Sequence, residues 1–246
     1  MIVNAVIKGG GGLSGVRFDY DGFFEVRYGN VLALLSSGTF TPIDDCTVDL
    51  FLVGGGGGGG AYYSGSSSYL TYGGGGGGGY TLTELHEVLK SGESYPVVIG
   101  AGGAINAAGG ATSFGAYSIA GGQPGNSGSS ANTGGGAGGS GGGDGAWSQY
   151  TTSSNGYAGG VDGNDGSGPA TPNSYHYGGK GQGSTTRAFG ESDGELFASG
   201  GSGVRDTSDT PAADYTGDGG QGNAKGGAGI VLIRFPDAES IVFAAL

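Results

Sequence analysis

Apolar positions in this chain come in short bursts separated by glycine. IVNAVI, GVRFDY and FFEVRYGNVLALL fill much of the first 45 residues, broken by glycines 9–12, Asp21-Gly22 and Gly29-Asn30. Runs rich in β-branched and aromatic residues between turn-prone residues predict short strands. TVDLFLV alternates briefly and stops at Gly54, and GIVLIRF (229–235) supplies a matching strand far along the chain. These two are expected to pair and form a base. The stretch YTLTELHEVLKSGESYPVVIG is open to two readings. Thr81 with Glu84 would suit a capped helix sharing Leu82, Leu85 and Leu89 on one face. Two β-type ends around SGE suit a hairpin, and the hairpin is favoured.

The middle of the chain breaks this pattern. Of 46 Leu, Ile, Val and Phe residues, only eight fall between Gly100 and Gly229. With 65 glycines, no strict Gly-X-Y period and a net charge of −12, composition alone reads as a low-complexity, disordered protein. The strand patterns at both ends argue for a folded β frame around a region that lacks an ordinary side-chain core. The expected organisation is an N-terminal β attachment module at 1–45, a glycine-rich domain at 46–235 and a C-terminal strand or tail at 236–246.

Glycine runs can build such a region. Residues 54–79 read GGGGGGG, AYYSGSSSYLTY, GGGGGGG. Ordering seven glycines costs on the order of 10 kcal/mol at 1–2 kcal/mol per residue. Only backbone hydrogen bonds and close packing are available to offset that cost. The polyproline-II-type helix has three residues per turn, a rise of about 3.1 Å per residue and no internal hydrogen bonds. Glycine helices lack Cβ atoms, so neighbours can approach until each N–H meets a carbonyl on the next helix. Seven residues would span roughly 22 Å. The expected fold class is therefore mainly β and irregular, with short antiparallel strands framing a polyglycine-II (polyproline-II-type) helical sandwich. A side chain inside a run should be destructive, and one between runs should be tolerated.

The segments between runs are decorated. AYYSGSSSYLTY carries Tyr62, Tyr63, Tyr69 and Tyr72; AWSQYTTSSNGY carries Trp147, Tyr150 and Tyr157. NSYHYGGKGQGSTTRAFGESDGELF carries Tyr175, His176, Tyr177, Lys180, Arg187 and Phe189. Tyr, Ser, Gly, Asn and Trp are the residues that recognition loops favour, combining rigid amphipathic rings with adaptable polar groups. The aromatic and histidine residues of these segments, from Tyr62 to Tyr177, are the candidate receptor-binding set. The alternative is that some tyrosines cap the glycine bundle as a substitute core.

Other chemistry is discounted. Nine Lys and Arg stand against 21 Asp and Glu with no basic cluster, so neither nucleic acid nor an anionic membrane is an expected partner. GGSGG lacks the strand-turn-helix context of a nucleophile elbow. GGKGQG lacks the Ser or Thr of a phosphate loop, and VDGNDGSG misses the alternate spacing of a calcium loop. Cys46 stands alone, and His86 and His176 have no ligand partners in sequence. No catalytic residue, cofactor or metal site is expected. There is no signal-peptide pattern and no membrane-span pattern, so synthesis in the cytoplasm without membrane insertion is expected.

Taken in order, SSGTFTPIDDCTVDLFLVGGGGGGG, SYPVVIGAGG, GGATSFGAYSIAGG and GGAGIVLIRF resemble the glycine-rich domain of bacteriophage and prophage tail proteins over about residues 36–235. GGKGQGSTTRAFGE resembles a recurring piece of such proteins, and MIVNAVIKGGGG resembles the opening of small tail-structural proteins. The resemblance implies a virion component at a tail fibre or tail tip, contacting other phage tail proteins. It also implies a bacterial cell-surface receptor, glycan or protein, and leaves room for a homotrimer. Tail-fibre tip adhesins are similar in general plan, but this chain has a β module in front and fewer regular glycine repeats. The expected function is a host-recognition adhesin. The alternatives are a purely structural tail cap or spacer and an ice-binding protein, which would need a flat Thr/Ala face and stricter triplets.

Overall fold

Most of the described glycine-rich segments begin or end at a strand, and the strands determine where the glycines go. The computed structural model describes residues 5–8, 17–61, 63–64, 70–71, 73–127, 134–142, 186–203, 211–236 and 240–243. Within them the protein is mainly β, all of its sheet pairings are antiparallel, and no α-helix occurs. Strands β1 (Ala5–Lys8), β2 (Arg17–Tyr20), β3 (Phe24–Arg27), β4 (Val31–Leu34) and β5 (Gly38–Pro42) precede β6 (Cys46–Val53), which runs straight into the first glycine run. A short ribbon of β7 (Tyr63–Ser64) and β8 (Leu70–Thr71) follows. Then come β9 (Thr81–Leu89), β10 (Tyr95–Val98), β11 (Thr112–Phe114), β12 (Tyr117–Ile119), β13 (Thr186–Arg187), β14 (Leu196–Phe197), β15 (Ile230–Arg234) and β16 (Ser240–Phe243).

Two large sheets carry the core. One has the order β12-β11-β10-β5-β2-β1-β16, the other β3-β4-β15-β6-β9. The expected pairing of TVDLFLV with GIVLIRF is present, with Ile230 opposite Val53 and Arg234 opposite Asp49. In the five-stranded sheet, β4, β6 and β15 are apolar on both faces, which marks strands covered on both sides. Leu32, Leu34, Val48, Leu50, Leu52, Val231 and Ile233 meet Phe18, Tyr20, Phe40, Val97 and Phe114 of the larger sheet. Alternate residues Ala33, Phe51, Val53, Ile230 and Leu232 meet Ala188, Phe189, Phe197 and Ala198 on the other face. Strands from residues 17–45 thus belong to the same two sheets as the strands that bracket the glycine region.

The favoured hairpin at YTLTELHEVLKSGESYPVVIG is replaced by a corner. Its turn forms at Ser91 and Gly92 (φ 74°), but β9 pairs with β6 and β10 pairs with β5, in different sheets. The turn is anchored on the neighbouring β5–β6 crossing: Gly92 N–H donates to Pro42 O at 2.7 Å and Ser91 N–H to Asp45 Oδ1 at 2.8 Å. Two chain passes switch sheets side by side there. The helical alternative fails because β9 pairs as a strand with β6 at both of its ends. It is interrupted by a bulge where His86 takes φ 61° and donates its N–H to Asp49 Oδ1 at 2.9 Å. Leu85 is consequently turned outward, 47 % exposed.

Beyond the sheets, extended glycine segments continue the strands. Residues 54–60 follow β6, 73–80 lead into β9, 100–104 follow β10, 107–111 lead into β11, 120–127 follow β12, 198–203 follow β14 and 224–229 lead into β15. Hydrogen bonding from 54–60 has a period of three. Gly54, Gly57 and Gly60 donate to Tyr80, Gly77 and Gly74; Gly55 and Gly58 donate to Gly110 and Ala107; Gly56 and Gly59 donate to Gly227 and Ala224. The same run accepts from Gly103 and Asn106, from Gly122 and Gly125, and from Gly220 and Asn223. Six chain passes therefore surround it: 73–80, 100–106, 107–110, 122–125, 220–223 and 224–227.

That environment explains the pure glycine. A Cβ on Gly54, Gly57 or Gly60 would overlap the carbonyl oxygens of Ala120, Gln123 and Asn126. On Gly55 or Gly58 it would strike those of Ala101 and Ala104, and on Gly56 or Gly59 those of Asp218 and Gln221. The second run is enclosed in the same way: Gly73, Gly76 and Gly79 face Gly60, Gly57 and Gly54, and Gly75 and Gly78 face Gly201 and Ala198. Several peripheral passes carry outward side chains at every third position. Ala101 and Ala104, Ala108 and Ala111, and Ala120 and Gln123 are exposed and spaced by three.

Gly57→Ala should therefore cost at least about 3 kcal/mol or abolish folding, because the carbonyl it meets is backbone fixed on both sides. Ala104→Ser, pointing outward, should stay within about 0.5 kcal/mol of the parent in chemical denaturation. A second expectation concerns Cys46, the buried first residue of β6. Burial, reinforced by the carboxylates of Asp45 and Asp44, pushes its thiol up from 9.0 to about 11. The unfolded thiol ionises first, so stability should decline as pH rises from about 9 to about 11. Cys46→Ala should flatten that part of the pH–stability curve.

Candidate functional site

The strands lie at one end of the glycine segments, and the chain reverses at the other. Two of these reversals are described throughout. Residues 100–104 turn at Ile105 and Asn106 and return as 107–111; residues 218–221 turn at Gly222 and Asn223 and return as 224–229. Asn106 and Asn223 hold left-handed backbone, φ 62° and 63°, which asparagine tolerates better than most residues with a Cβ. Both land beside the end of 54–60. Asn106 N–H donates to Gly59 O at 3.0 Å, and Asn223 N–H to Gly60 O at 2.8 Å.

Further passes end at the same level. Gly60 N–H donates to Gly74 O at 2.8 Å, so the excursion after Ala61 leaves and returns side by side. Gly74 N–H donates to Asn126 O at 3.0 Å and Asn126 N–H to Gly134 O at 2.8 Å, which brings both limbs of the 127–134 excursion to this end. Gly222 N–H donates to Ser202 O at 2.9 Å, marking the end of 198–203. The pass 140–142 starts level with Gly78, to which Ser140 O is bonded, and reaches Gly75 at Gly142. Ala61, Ser127, Gly142 and Gly203 thus leave the described segments toward one common end.

Among the described residues, side chains at this end are largely neutral and hydrogen-bonding. Ile105 is 41 % exposed and precedes Asn106, whose Oδ1 accepts from the Ser127 hydroxyl. The charge of Lys225 is matched by Asp214, with Nζ to Oδ1 at 3.6 Å. Groups of this kind suit uncharged polar surfaces, where amides and hydroxyls exchange hydrogen bonds without a desolvated ion.

Of the predicted binding residues, Tyr63 is placed in β7, opposite Thr71 of β8. Tyr62, Tyr69, Tyr72, Trp147, Tyr150, Tyr157, Tyr175, His176 and Tyr177 lie outside the described residues. Two residues of the third decorated segment sit elsewhere, next to the five-stranded sheet. Phe189 is 8 % exposed, with its ring 6.0 Å from that of Phe51 and 4.4 Å below the Arg234 guanidinium. Arg187 donates to Gly194 O at 3.0 Å. Arg234 also donates through Nε and Nη2 to Asp49 Oδ2, at 2.9 and 2.7 Å, tying β15 to β6. Ala188, Phe189 and Phe197 of that segment are therefore core.

The reversals at 105–106 and 222–223 were not separable by composition, since the chain from 101 to 228 reads largely as Gly, Ala, Ser and Asn with isolated aromatic and charged residues. A usable signal was present in the Asn-Ala pairs Asn106-Ala107 and Asn223-Ala224, each of which ends one glycine pass and opens another.

A family model described as a glycine-rich domain matches residues 35–236. The chain belongs to this family. The glycine-rich domain begins just after β4 and ends just after β15, so it includes both seven-glycine runs and both described reversals. None of the curated proteins compared with the chain matches it.

Proposed function

We propose that this protein is a display scaffold: a polyglycine-II sandwich, held at one end by the β-sheets, that presents decorated loops at the other. Three features support the polyglycine-II reading: the three-residue hydrogen-bond period, the six neighbours of 54–60 and the outward side chains at every third position. In this reading the rods stack in three layers. One contains 107–111, 120–126 and 134–137; the middle one 100–104, 54–60, 73–79 and 140–142; the third 224–229, 218–221 and 198–203.

We further propose that the scaffold is a host-recognition adhesin of a phage or prophage tail. It would bind a bacterial surface glycan or protein through Tyr62, Tyr63, Tyr69, Tyr72, Trp147, Tyr150, Tyr157, Tyr175, His176 and Tyr177. Other tail proteins would be its structural partners in the virion. The observation that carries this reading is the common end at which Ala61, Ser127, Gly142 and Gly203 leave the rods. Loops rooted on one face act together, and many copies on one particle make weak single contacts sufficient.

Purified protein assayed against a panel of bacterial cells and their isolated surface glycans tests the proposal. Exchange of 62–72 and 146–157 for Gly/Ser should weaken binding by more than about tenfold while the thermal transition is retained. Unchanged binding after both exchanges would reject the site, and absence of binding by the parent protein would favour a cap or spacer.

A further inference from the structure

The period-three series that leaves 54–60 toward 107–110 does not stop where the backbone stops. Gly55 N–H donates to Gly110 O and Gly58 N–H to Ala107 O. The next amide in this series is Ala61. Here the partner chain has already turned at Ile105 and Asn106, so no backbone carbonyl continues the row. The Asn106 side chain takes that place: Ala61 N–H donates to Asn106 Oδ1 at 2.8 Å. The same oxygen accepts from the Ser127 hydroxyl at 2.7 Å. Asn106 is held in position by its own N–H, which donates to Gly59 O at 3.0 Å.

We propose that Asn106 is a rod cap and a positioning residue for the display end. Its side-chain carbonyl replaces the missing backbone carbonyl at the end of the central glycine run, as a helix N-cap replaces a missing acceptor. In doing so it joins the root of the loop after Ala61 to the root of the loop after Ser127. Residues 61, 106 and 127 belong to three chain passes, and one oxygen fixes the relation among them. The sequence requirement is narrow. The position needs a residue that accepts left-handed backbone at φ 62° and carries a short side-chain acceptor, which asparagine and aspartate provide. The consequence for recognition rests on the display reading above: loops sharing a fixed root present a single surface rather than two independent ones.

The experiment uses the full chain with Asn106→Gly, Asn106→Asp and Ser127→Ala. Glycine keeps the left-handed backbone and removes only the acceptor; aspartate keeps both. The first readout is amide hydrogen exchange at Ala61, with Gly57 as internal reference. Asn106→Gly should speed exchange at Ala61 by about three- to tenfold, the worth of one ordinary hydrogen bond, and leave Gly57 unchanged. Asn106→Asp should restore protection, and Ser127→Ala should leave Ala61 protected. Equal exchange at Ala61 in the parent and Asn106→Gly overturns the cap. So does faster exchange that aspartate fails to reverse, or that spreads to Gly57, because either result indicates general loosening. The second readout is binding to the bacterial-surface panel, where Asn106→Gly should lose affinity and Asn106→Asp should recover it. Absence of any binding by the parent rejects the adhesin reading and leaves the exchange test of the cap intact.

Discussion

The structure depends on one contact, a backbone N–H meeting a backbone carbonyl across a gap too narrow for any Cβ. Around 54–60 this contact is made toward six neighbouring passes, and every amide of the run is used. An extended glycine chain has no internal hydrogen bonds, so each rod is stable only inside its neighbours. Cohesion of this kind is collective, and it needs no apolar side chain. A chain with few Leu, Ile, Val and Phe residues in its middle can therefore still be ordered there.

Collective cohesion has a register problem, because a bare glycine rod slides past its neighbour at little cost. The two β-sheets remove that freedom. Each strand pair sets the level at which its glycine segment starts: Val53 opposite Ile230 fixes 54–60 against 224–229, and Val53 opposite Thr81 fixes it against 73–79. Large side chains are concentrated where they determine register, in the Phe18–Phe40 stack and around Phe51, Phe189 and Phe197. The Asp49–Arg234 pair locks the two central strands beneath the rods. The reversals at the opposite end must begin and end at the right rods, and apart from left-handed positions such as Asn106 and Asn223 they are left free to differ in sequence.

How much of this was legible in the sequence depended on which force was responsible. Strands driven by apolar pattern were readable, including the pairing of 46–53 with 230–234, because burial imposes a pattern on side chains. The purity of the two seven-glycine runs was readable as a steric demand, and the overlaps that a Cβ would make at Gly54 through Gly60 show its source. Sheet membership was not readable. The turn at Ser91-Gly92 joins strands in different sheets because of Pro42 and Asp45, distant residues whose role has no local signature. Phe189 read as a displayed aromatic because its core partner Phe51 is over a hundred residues away. The Asn106-Ala107 pair marks a reversal, but nothing in the sequence marks the capping role of Asn106, which rests on where its oxygen falls in a hydrogen-bond row.

The central claim is that the two glycine runs are the most enclosed rods of a bonded assembly and not linkers. Residue-resolved hydrogen exchange of the native protein addresses it directly. Amides of 54–60 and 76–79 should exchange only through global opening, with protection equal to that of Leu50 and Val231 in the sheet core. Exchange at the rate of an unstructured glycine chain, with the sheet amides still protected, would contradict the account.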